Sequence, residues 1–430
     1  MSKRKSQPKS ESLPERADVN APEAEGIEYS MEAAAAETPQ PRMHPPAMVD
    51  EVLAFLRCRD LAAENPNAVF IDGTLGTGGH TLAMLRAHPT CRVVAFDRDR
   101  ETIEVARERF REERVLERVT TVLGDFRHAP LLLQPYFENT KVGTDGRAIQ
   151  QIDGALVDAG MSLWQVTNPA RGISFRGDSS LDMRYDRDQN YSAFDLVNRL
   201  SAHDLEDVLF KFADERWARR IAAVVVEARQ HHPIRTTGEL VSLIEAAIPV
   251  AVRRQSRVHP ATQTFAALRL AVNDELRAID EGAWALLQVM APTARLIFLT
   301  YSSNEDRTLK RTFRLMAGRA IFFEAKEDRA NRKKTGRDTS REFSLESRGH
   351  DTFATTRSSL TLSPSSNDEP LFDIPTDHEP TVPDGIEGWN TQWTAKIVTP
   401  KPVVPTAQEI TNNPLSRSCK LRAIQKIALS

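Results

Sequence analysis

A glycine-rich segment, Asp72 to His80, carries the strongest chemical signal in the sequence. It follows the apolar run Ala68 to Ile71 and precedes a helical pattern from Thr81 to Ala87. Glycines permit a tight turn and let a ligand approach the backbone without a Cβ in the way. Asp97 closes a second apolar run, and a carboxylate at such a strand end can accept both hydroxyls of a ribose. The spacing therefore predicts a site for an adenosine-type cofactor at the carboxyl ends of two parallel strands.

The positions of the glycines distinguish between the adenosine-containing cofactors. A dinucleotide fingerprint that starts at Gly76 needs a glycine where this chain has Thr81. No Gly-Lys-Ser or Gly-Lys-Thr follows the turn, which excludes a phosphate-binding loop. An acid at the strand end followed by Gly-x-Gly-Gly suits S-adenosylmethionine, which has no pyrophosphate to be bound. We therefore expect S-adenosylmethionine as the cofactor.

Two further strand ends carry groups that can reach such a cofactor. Phe126 follows the third apolar run, Val119 to Leu123, and its ring either stacks on the adenine or lies in the core; the sequence leaves both open. Asp158 ends the fourth run, which begins at Ile152. In this arrangement the end of the fourth strand is where a methyl acceptor meets the sulfonium.

Strand patterns alternate with helical ones along the body of the chain. A fifth apolar run, Arg295 to Thr300, completes the set, and the charged pattern Arg100 to Glu113 is one of the helices between. This alternation predicts an α/β fold with a doubly wound, Rossmann-like parallel sheet. About 135 residues separate the fourth and fifth strands, far more than one crossover needs. Their helical pattern from about 192 to 258 predicts an inserted helical domain.

Composition sets the predicted domain boundaries. Low apolar content marks the N-terminus as a disordered extension, and charge and proline content mark a linker late in the chain. The predicted divisions are a disordered extension over 1–42, a cofactor-binding domain over 43–170 and 259–325, the helical insert over 171–258, a basic stretch and acidic proline-rich linker over 326–395, and a C-terminal strand and tail over 396–430 that returns to the sheet.

Charge and cysteine content exclude several classes of protein. The formal net charge is −3, so the chain has no bulk basic field for nucleic acid, although local patches remain possible. Cys58, Cys91 and Cys419 include no Cys-x-x-Cys pair, and His231-His232 and His259 lack metal-ligand spacing, so we expect no metal and interpret these histidines as structural. Apolar runs fall far short of the roughly 20 residues that cross a bilayer, and the N-terminus is not a secretory signal. We expect a soluble, cytoplasmic protein.

Several sequence blocks follow one another in a characteristic order: His44 to Met48, Asp72 to His80, Ala95 to Asp99, Arg171 to Phe175, Leu181 to Arg184, Asp214 to Ile221, His259 to Phe265, Glu305 to Arg307 and Asn413 to Arg422. In this order they resemble the blocks of the bacterial 16S ribosomal RNA cytosine-N4 methyltransferases, which methylate a cytosine of the decoding region. The resemblance implies a class I methyltransferase sheet with a helical insert, and 16S ribosomal RNA in the small ribosomal subunit as substrate. It also implies that S-adenosylmethionine contacts Gly78, Gly79, His80, Asp97, Phe126, Asp158 and Gln165.

The chain departs from the family pattern beside the expected reaction centre. Where the family usually has Asp-Leu-Gly-Val-Ser-Ser, the block from Asp158 ends in Leu163 and loses one hydroxyl. The family's Phe-His-Ser-Leu-Glu-Asp-Arg reads Tyr301 to Arg307 here, with Ser302 in place of the histidine. The cofactor residues are kept. Three functions therefore stay open: the cytosine-N4 methyltransferase, a ribosome-assembly factor that retains the cofactor fold, and a methyltransferase on another acceptor.

The catalytic group is not identified by the sequence. Amino methyltransferases often carry Asp/Asn-Pro-Pro-Tyr after the fourth strand, and this chain has no such quartet there. We hypothesise that Asp158 or nearby backbone carbonyls polarise the acceptor amine. Basic side chains that either contact RNA phosphates or are ordinary surface groups are Arg184, Arg187, Arg216, Arg219, Arg220, Arg307, Lys310, Arg311 and the concentrated stretch Lys326 to Arg341.

Overall fold

The computed structural model describes residues 45–318 except 139 and 257, the short segments 359–360 and 374–375, residue 386, and residues 392–429. The predicted N-terminal extension, the basic stretch Lys326 to Arg341 and most of the acidic linker lie outside the described residues.

Within the described residues, seven strands form one sheet in the order β3-β2-β1-β4-β5-β7-β6. The strands are β1 (Val69–Asp72), β2 (Arg92–Asp97), β3 (Val119–Leu123), β4 (Ile152–Asp158), β5 (Met290–Thr300), β6 (Trp393–Ile397) and β7 (Lys420–Ala428). The first five are parallel, while β7 runs antiparallel to both β5 and β6. The central strands are apolar runs buried on both faces, as parallel sheets require.

The strand order confirms the predicted doubly wound, Rossmann-like α/β fold. From β1 the chain proceeds outward through β2 to β3 and then crosses to β4 on the other side of β1. Such a reversal opens a crevice at the carboxyl ends of the strands, where ligands bind in this class of fold. The glycine-rich turn after β1 and the loop after β4 therefore meet at one edge of the sheet.

Helices cover both faces of the sheet. They are α1 (Val49–Leu56), α2 (Cys58–Glu64), α3 (Gly79–Ala87), α4 (Arg100–Glu112), α5 (Ala129–Phe137), α13 (Glu275–Val289) and α14 (Ser303–Met316). On one face α5, α13 and α14 bury Trp284 and Phe298, and on the other α1, α3 and α4 bury Phe70 and Phe110. Each helix thus buries its apolar stripe against a sheet face.

A separate hydrophobic core lies in the helical region between β4 and β5. Its helices are α6 (Leu163–Thr167), α7 (Ala193–Arg199), α8 (Ala202–Ala213), α9 (Ala218–Arg229), α10 (Thr237–Ala247), α11 (Val250–Gln255) and α12 (Thr262–Val272). We propose that the insert extends through α12 and not only to residue 258, because Phe265 and Leu268 of that helix pack in this core and not against the sheet.

The C-terminal residues return to the sheet. After β6 the chain forms α15 (Ala407–Asn412) and then enters β7, which pairs with both β5 and β6. The segment between α15 and β7 passes the carboxyl ends of β4 and β5, and Cys419 there is buried with a free thiol. None of the helices in the described part of the chain combines the length and apolar character that a membrane span needs.

Candidate active site

A cavity of about 320 Å³ opens at the carboxyl ends of β1, β2, β4 and β5. One wall is the glycine-rich turn with the end of β2, and the opposite wall comes from α12 and the end of α8. The loop after β4, the start of α14 and Asn413 of the C-terminal segment complete the lining. The sheet domain and the helical region therefore enclose the cavity together, at the switch point of the sheet.

Asp72 holds the glycine-rich turn in shape. Its carboxylate accepts hydrogen bonds from the Thr81 hydroxyl at 2.7 Å and from the Thr74 amide at 3.3 Å. Burial raises the pKa of this carboxyl to about 6. Gly78 adopts φ +80°, and a Cβ there would lie 2.5 Å from the Phe110 ring, so this glycine is required by packing. Gly79 and His80 line the cavity, and Gly78 directly precedes them.

Asp97 lies at the end of β2 and lines the cavity. One carboxylate oxygen accepts from the Gly76 amide and the other from the Asp99 amide, each at 2.9 Å. Burial raises the pKa of Asp97 to about 7, and these two amide donors oppose that rise. Each carboxylate oxygen has a second lone pair. Asp97 is therefore a fixed acceptor pair that can still receive two hydroxyl groups.

His80 and Tyr301 both contact the carboxylate of Asp158. The Tyr301 hydroxyl donates to Oδ1 at 2.7 Å, and Nδ1 of His80 lies 3.5 Å from Oδ2. His80 is itself fixed at Nε2, which donates to the Ala47 carbonyl at 2.9 Å because a carbonyl oxygen only accepts. Burial raises the pKa of Asp158, and His80 and Tyr301 act against that rise. The end of β4 thus presents an oriented carboxylate to the cavity.

Gln165 lines the cavity and joins the loop after β4 to the end of β2. Its Oε1 accepts from the Ser162 amide at 2.9 Å, and its Nε2 donates to Asp99 at 3.1 Å. Asp99 also accepts from Arg171 at 2.7 Å, and both partners of that ion pair are almost fully buried. Sequence reasoning did not assign roles to Asp99 and Arg171, because nothing local in the sequence pairs them.

Phe126 packs in the core and also lines the cavity, and its stacking on the adenine stays a prediction. It is 7% exposed and meets Phe298 edge to face, with ring centroids 6.4 Å apart. A Cβ at Gly282 of α13 would lie only 2.0 Å from the Phe126 ring, so the ring fills a notch in that helix. The same side chain lines the cavity. Phe126 is therefore a core residue whose remaining surface faces the site.

The cavity is rich in carboxylates. Among the described residues that line it, the acids are Asp97, Asp125, Asp158, Asp214, Glu275 and Glu305, and the basic residues are Arg98 and Arg269. Arg98 lies 3.5 Å from Asp125 and Arg269 lies 2.9 Å from Glu275, so both cations are neutralised locally. A pyrophosphate would be repelled here, whereas the sulfonium and ammonium groups of S-adenosylmethionine are attracted. The residues present fit that cofactor.

The block that departs from the family pattern has a clear local structure. Ser302, in place of the family's histidine, accepts from the Glu305 amide at 3.2 Å and caps α14, while Glu305 accepts from the Ser302 amide at 2.9 Å. Asn304 donates to the Phe212 carbonyl at the end of α8 at 2.6 Å. Ser302 therefore caps α14, and Asn304 ties the start of this helix to the helical region. Tyr301 was missed as a site residue, although its place in the altered block was a signal.

The basic residues predicted to contact phosphates fall into two groups, those that form ion pairs within the described part of the protein and those that do not. Arg184 pairs with Asp182 at 2.7 Å and Arg187 lies 3.5 Å from Glu101, so both are held within the protein. Exposed side chains that form no ion pair with another described residue are Arg216, Arg219, Arg220, Arg307 and Lys310. Half-buried Arg311 pairs with none of the described acids either, and the stretch Lys326 to Arg341 lies outside the described residues.

The three histidines that were interpreted as structural differ in their contacts. His259 stacks on Phe175 with ring centroids 4.5 Å apart and accepts from the Ala261 amide, whereas His231 and His232 are exposed. In the described part of the chain, no group of three or more His, Cys, Asp or Glu side chains is arranged to hold a metal ion.

Known proteins similar to this chain are methylases. A family model described as the MraW methylase family matches residues 42–334 and 374–427. Ribosomal RNA small subunit methyltransferase H from Halothermothrix orenii is 31% identical over 386 residues, which are 89% of this chain and 98% of that protein. The protein of the same name from Geobacter sulfurreducens is 40% identical over 275 residues, 64% of this chain and 82% of that protein.

Solved structures resemble the chain more distantly. NSun6 from Pyrococcus horikoshii is 13% identical, and the match covers 65% of this chain and 45% of that chain with a TM-score of 0.28. The strand order, and not this likeness, shows the doubly wound fold. The predicted cofactor is confirmed: the methylase match and the carboxylate-rich cavity identify S-adenosylmethionine. The chain belongs to the MraW methylase family.

Proposed function

We propose that the chain transfers the methyl group of S-adenosylmethionine to the N4 amine of a cytosine in the decoding region of 16S ribosomal RNA. The relatives named ribosomal RNA small subunit methyltransferase H and the resemblance of the ordered sequence blocks support this substrate. A substrate in the small ribosomal subunit implies that the protein acts in the cytoplasm. The observation that carries the proposal is the oriented carboxylate of Asp158 at the end of β4, inside a cavity shared by two parts of the protein.

The cofactor contacts proposed for the turn and the strand ends follow from the hydrogen-bond acceptors and side chains that remain available there. Asp97 accepts the ribose hydroxyls with the lone pairs that Gly76 and Asp99 leave free. Phe126, which lines the cavity, contacts the adenine, and the side chains of His80 and Gln165 close the pocket around the amino acid moiety. Gly78 acts indirectly, because its packing on Phe110 lets Gly79 begin α3 at the cavity wall. When bound, S-adenosylmethionine supplies an electrophilic methyl carbon on sulfur.

Asp158 acts on the acceptor amine. The lone pair of an exocyclic cytosine amine is delocalised into the ring, so the amine needs a hydrogen-bond acceptor that draws it out of conjugation. An ionised Asp158 carboxylate accepts one N–H and takes that proton as the N–C bond forms and the C–S bond breaks. The remaining work of the protein is to hold amine and methyl group in line and to exclude water. Backbone carbonyls of the loop after β4 are the alternative acceptors.

RNA reaches this site when the target base is unstacked, at a cost of a few kcal/mol. Arg216 precedes α9, Arg219 and Arg220 lie in its first turn, and Lys310 lies on α14. The hydrogen bond from Asn304 to Phe212 joins the start of α14 to the end of α8, directly before the Arg216 segment. Asp214, two residues before Arg216, lines the cavity. In this proposal these cations, which form no ion pair with another described residue, contact phosphates on both sides of the flipped base.

Transfer of label from S-adenosylmethionine to purified small ribosomal subunits tests the proposal, with Asp158→Asn as the decisive variant. We expect Asp158→Asn to bind the cofactor in calorimetry and to lose methyl transfer by at least about a hundredfold, the size of a typical general-base contribution. Undiminished transfer in that variant would exclude Asp158 as the group that acts on the amine. A wild-type protein that binds the cofactor but transfers no methyl group would instead support the ribosome-assembly factor.

A further inference from the structure

Tyr301 brings a hydroxyl to the reaction centre that the corresponding family block usually lacks. The residue follows β5, and its hydroxyl donates to Oδ1 of Asp158 at 2.7 Å. In the sheet register Asp158 pairs with Leu299, so Tyr301 lies two residues beyond that partner, just past the end of the neighbouring strand. The family block usually begins with phenylalanine, which has the same ring but cannot donate a hydrogen bond.

Both the backbone amide and the side-chain hydroxyl of Tyr301 are held by hydrogen bonds to carboxylates. Its amide donates to Oε2 of Glu305 at 2.7 Å, and Glu305 is 2% exposed. The same Glu305 closes the capping box of α14 with Ser302. The residue that replaces the family's histidine thus serves the helix cap, and the hydroxyl one position earlier reaches the carboxylate.

Several other groups face Asp158 from the elements packed around it. His80 of α3 lies 3.5 Å from Oδ2, Glu305 belongs to α14, Asp72 ends β1, and the Cys419 thiol precedes β7. Glu305 and Asp72 are acids that disfavour a further negative charge, whereas His80 and the Tyr301 hydroxyl favour it. In the described part of the protein, the Tyr301 bond is the shortest hydrogen bond to this carboxylate.

We propose that Tyr301 is a positioning residue for methyl transfer: its hydroxyl fixes the Asp158 carboxylate in the orientation and charge state in which it accepts the N–H of the acceptor amine. This inference rests on the proposed function. Burial raises the pKa of Asp158, and a donor to the charged form lowers it. Removing the hydroxyl therefore raises the pKa of Asp158 further, so the acid limb of the pH profile of kcat moves to higher pH.

The test uses Tyr301→Phe, which restores the usual family residue and keeps the ring. Tyr136→Phe makes the same chemical change in the core of the sheet domain, away from the cavity, and serves as the matched control. We expect Tyr301→Phe to lower kcat about tenfold near neutral pH, the usual effect of one hydrogen bond to a charged group, with KM for small ribosomal subunits unchanged. If the acid limb of the pH profile of Tyr301→Phe stays at its wild-type pH and kcat is also unchanged, the inference is overturned.

A second readout does not depend on methyl transfer. In full-length protein labelled at the aspartate carboxyl carbon, the Asp158 resonance is assigned by its loss in Asp158→Asn and titrated by NMR. The inference predicts a higher midpoint in Tyr301→Phe than in wild type and in Tyr136→Phe. Should wild type transfer no methyl group, the proposed function fails, yet the titration still decides the role of Tyr301. A higher midpoint in Tyr301→Phe supports the proposed role of Tyr301 in positioning Asp158, and an unchanged midpoint overturns that role.

Discussion

Arg171 and Asp99 form a buried ion pair at 2.7 Å that joins the entrance of the helical region to the end of β2. Their exposed fractions are 1% and 2%, and Asp99 also caps α4 and accepts from Gln165. The Asp99 carboxylate therefore links the helical region to the cofactor side of the cavity. Arg171 also lies 3.2 Å from Glu101, whereas loss of Arg171 leaves the Asp99 carboxylate in the interior without its cation.

Replacement of Arg171 by methionine should therefore destabilise the protein strongly. We expect the free energy of unfolding to fall by about 3–5 kcal/mol, because Asp99 remains buried without its partner. Urea denaturation followed by circular dichroism measures the change. The control Arg111→Met breaks an exposed pair with Glu108 on α4 and should change stability by less than about 1 kcal/mol. Equal losses in the two variants would refute the importance assigned to the buried pair.

Gly78 should tolerate a methyl group less well than another glycine of similar backbone conformation. Gly78 and Gly146 have φ of +80° and +76°, but a Cβ at Gly78 would lie 2.5 Å from the Phe110 ring, whereas one at Gly146 has nothing within 4 Å. Both alanine variants incur the strain of a positive φ, roughly 1 kcal/mol. We expect Gly78→Ala to lose a further 1–3 kcal/mol or so from overpacking, and to bind the cofactor less tightly. Thermal unfolding measures the stability of Gly78→Ala and Gly146→Ala, and calorimetry measures their cofactor affinity. Equal stability and equal affinity in the two variants would contradict the prediction.

Cofactor affinity should depend on pH through Asp97. Burial raises the pKa of this carboxyl to about 7, so the free protein holds it largely protonated below that pH. The ionised form accepts both ribose hydroxyls, so affinity for S-adenosylmethionine should rise from pH 6 to pH 8. In Asp97→Asn the affinity should be at least about tenfold lower, from the loss of charged hydrogen bonds, and should no longer rise with pH. Calorimetric titration across this range measures both effects, and a pH dependence that survives in Asp97→Asn would assign it to another group.

Substrate binding should weaken when Arg219 and Arg220 of α9, which form no ion pair with another described residue, are neutralised. We expect the double variant Arg219→Gln, Arg220→Gln to raise KM for small ribosomal subunits and to reduce its dependence on salt concentration, because fewer counterions are released on binding. Cofactor affinity should not change. The control Arg86→Gln, Arg111→Gln removes the same charge from exposed residues that pair with Glu113 and Glu108. A rise in KM of the same size in both double variants would indicate a general charge effect and not a binding face.

The sequence allowed the sheet to be predicted because its signals are local. Apolar runs ending in Asp72, Asp97 and Asp158 alternate with helical patterns, and the order of strands follows from the rules of doubly wound folds. The long interval before β5 likewise indicated the helical region. By contrast, β6 was not predicted, because this edge strand is short and only partly apolar. The core of the helical region also continues into α12, and no local signal separates that helix from the sheet domain.

Site residues that depend on distant contacts could not be predicted in the same way. Asp99 and Arg171 are 72 positions apart, and Tyr301 and Asp158 are 143 apart, so no periodicity links them. For Phe126 the sequence could not decide between the core and the cavity, because the ring packs in the core and also lines the cavity. The contacts proposed for the cofactor stay predictions, whereas the hydrogen bonds that orient Asp97, Asp158 and Gln165 are properties of the fold.

The central claim is tested most directly by identifying the methylated nucleoside. Small ribosomal subunits that lack the modification are incubated with the purified chain and isotopically labelled S-adenosylmethionine, and the digested 16S RNA is analysed by mass spectrometry. We predict labelled N4-methylcytidine from the decoding region, at a level that Asp158→Asn does not reach. Label in another nucleoside, or in ribosomal protein, would contradict the assignment of the acceptor, and cofactor binding without any transferred label would contradict the assignment as an enzyme.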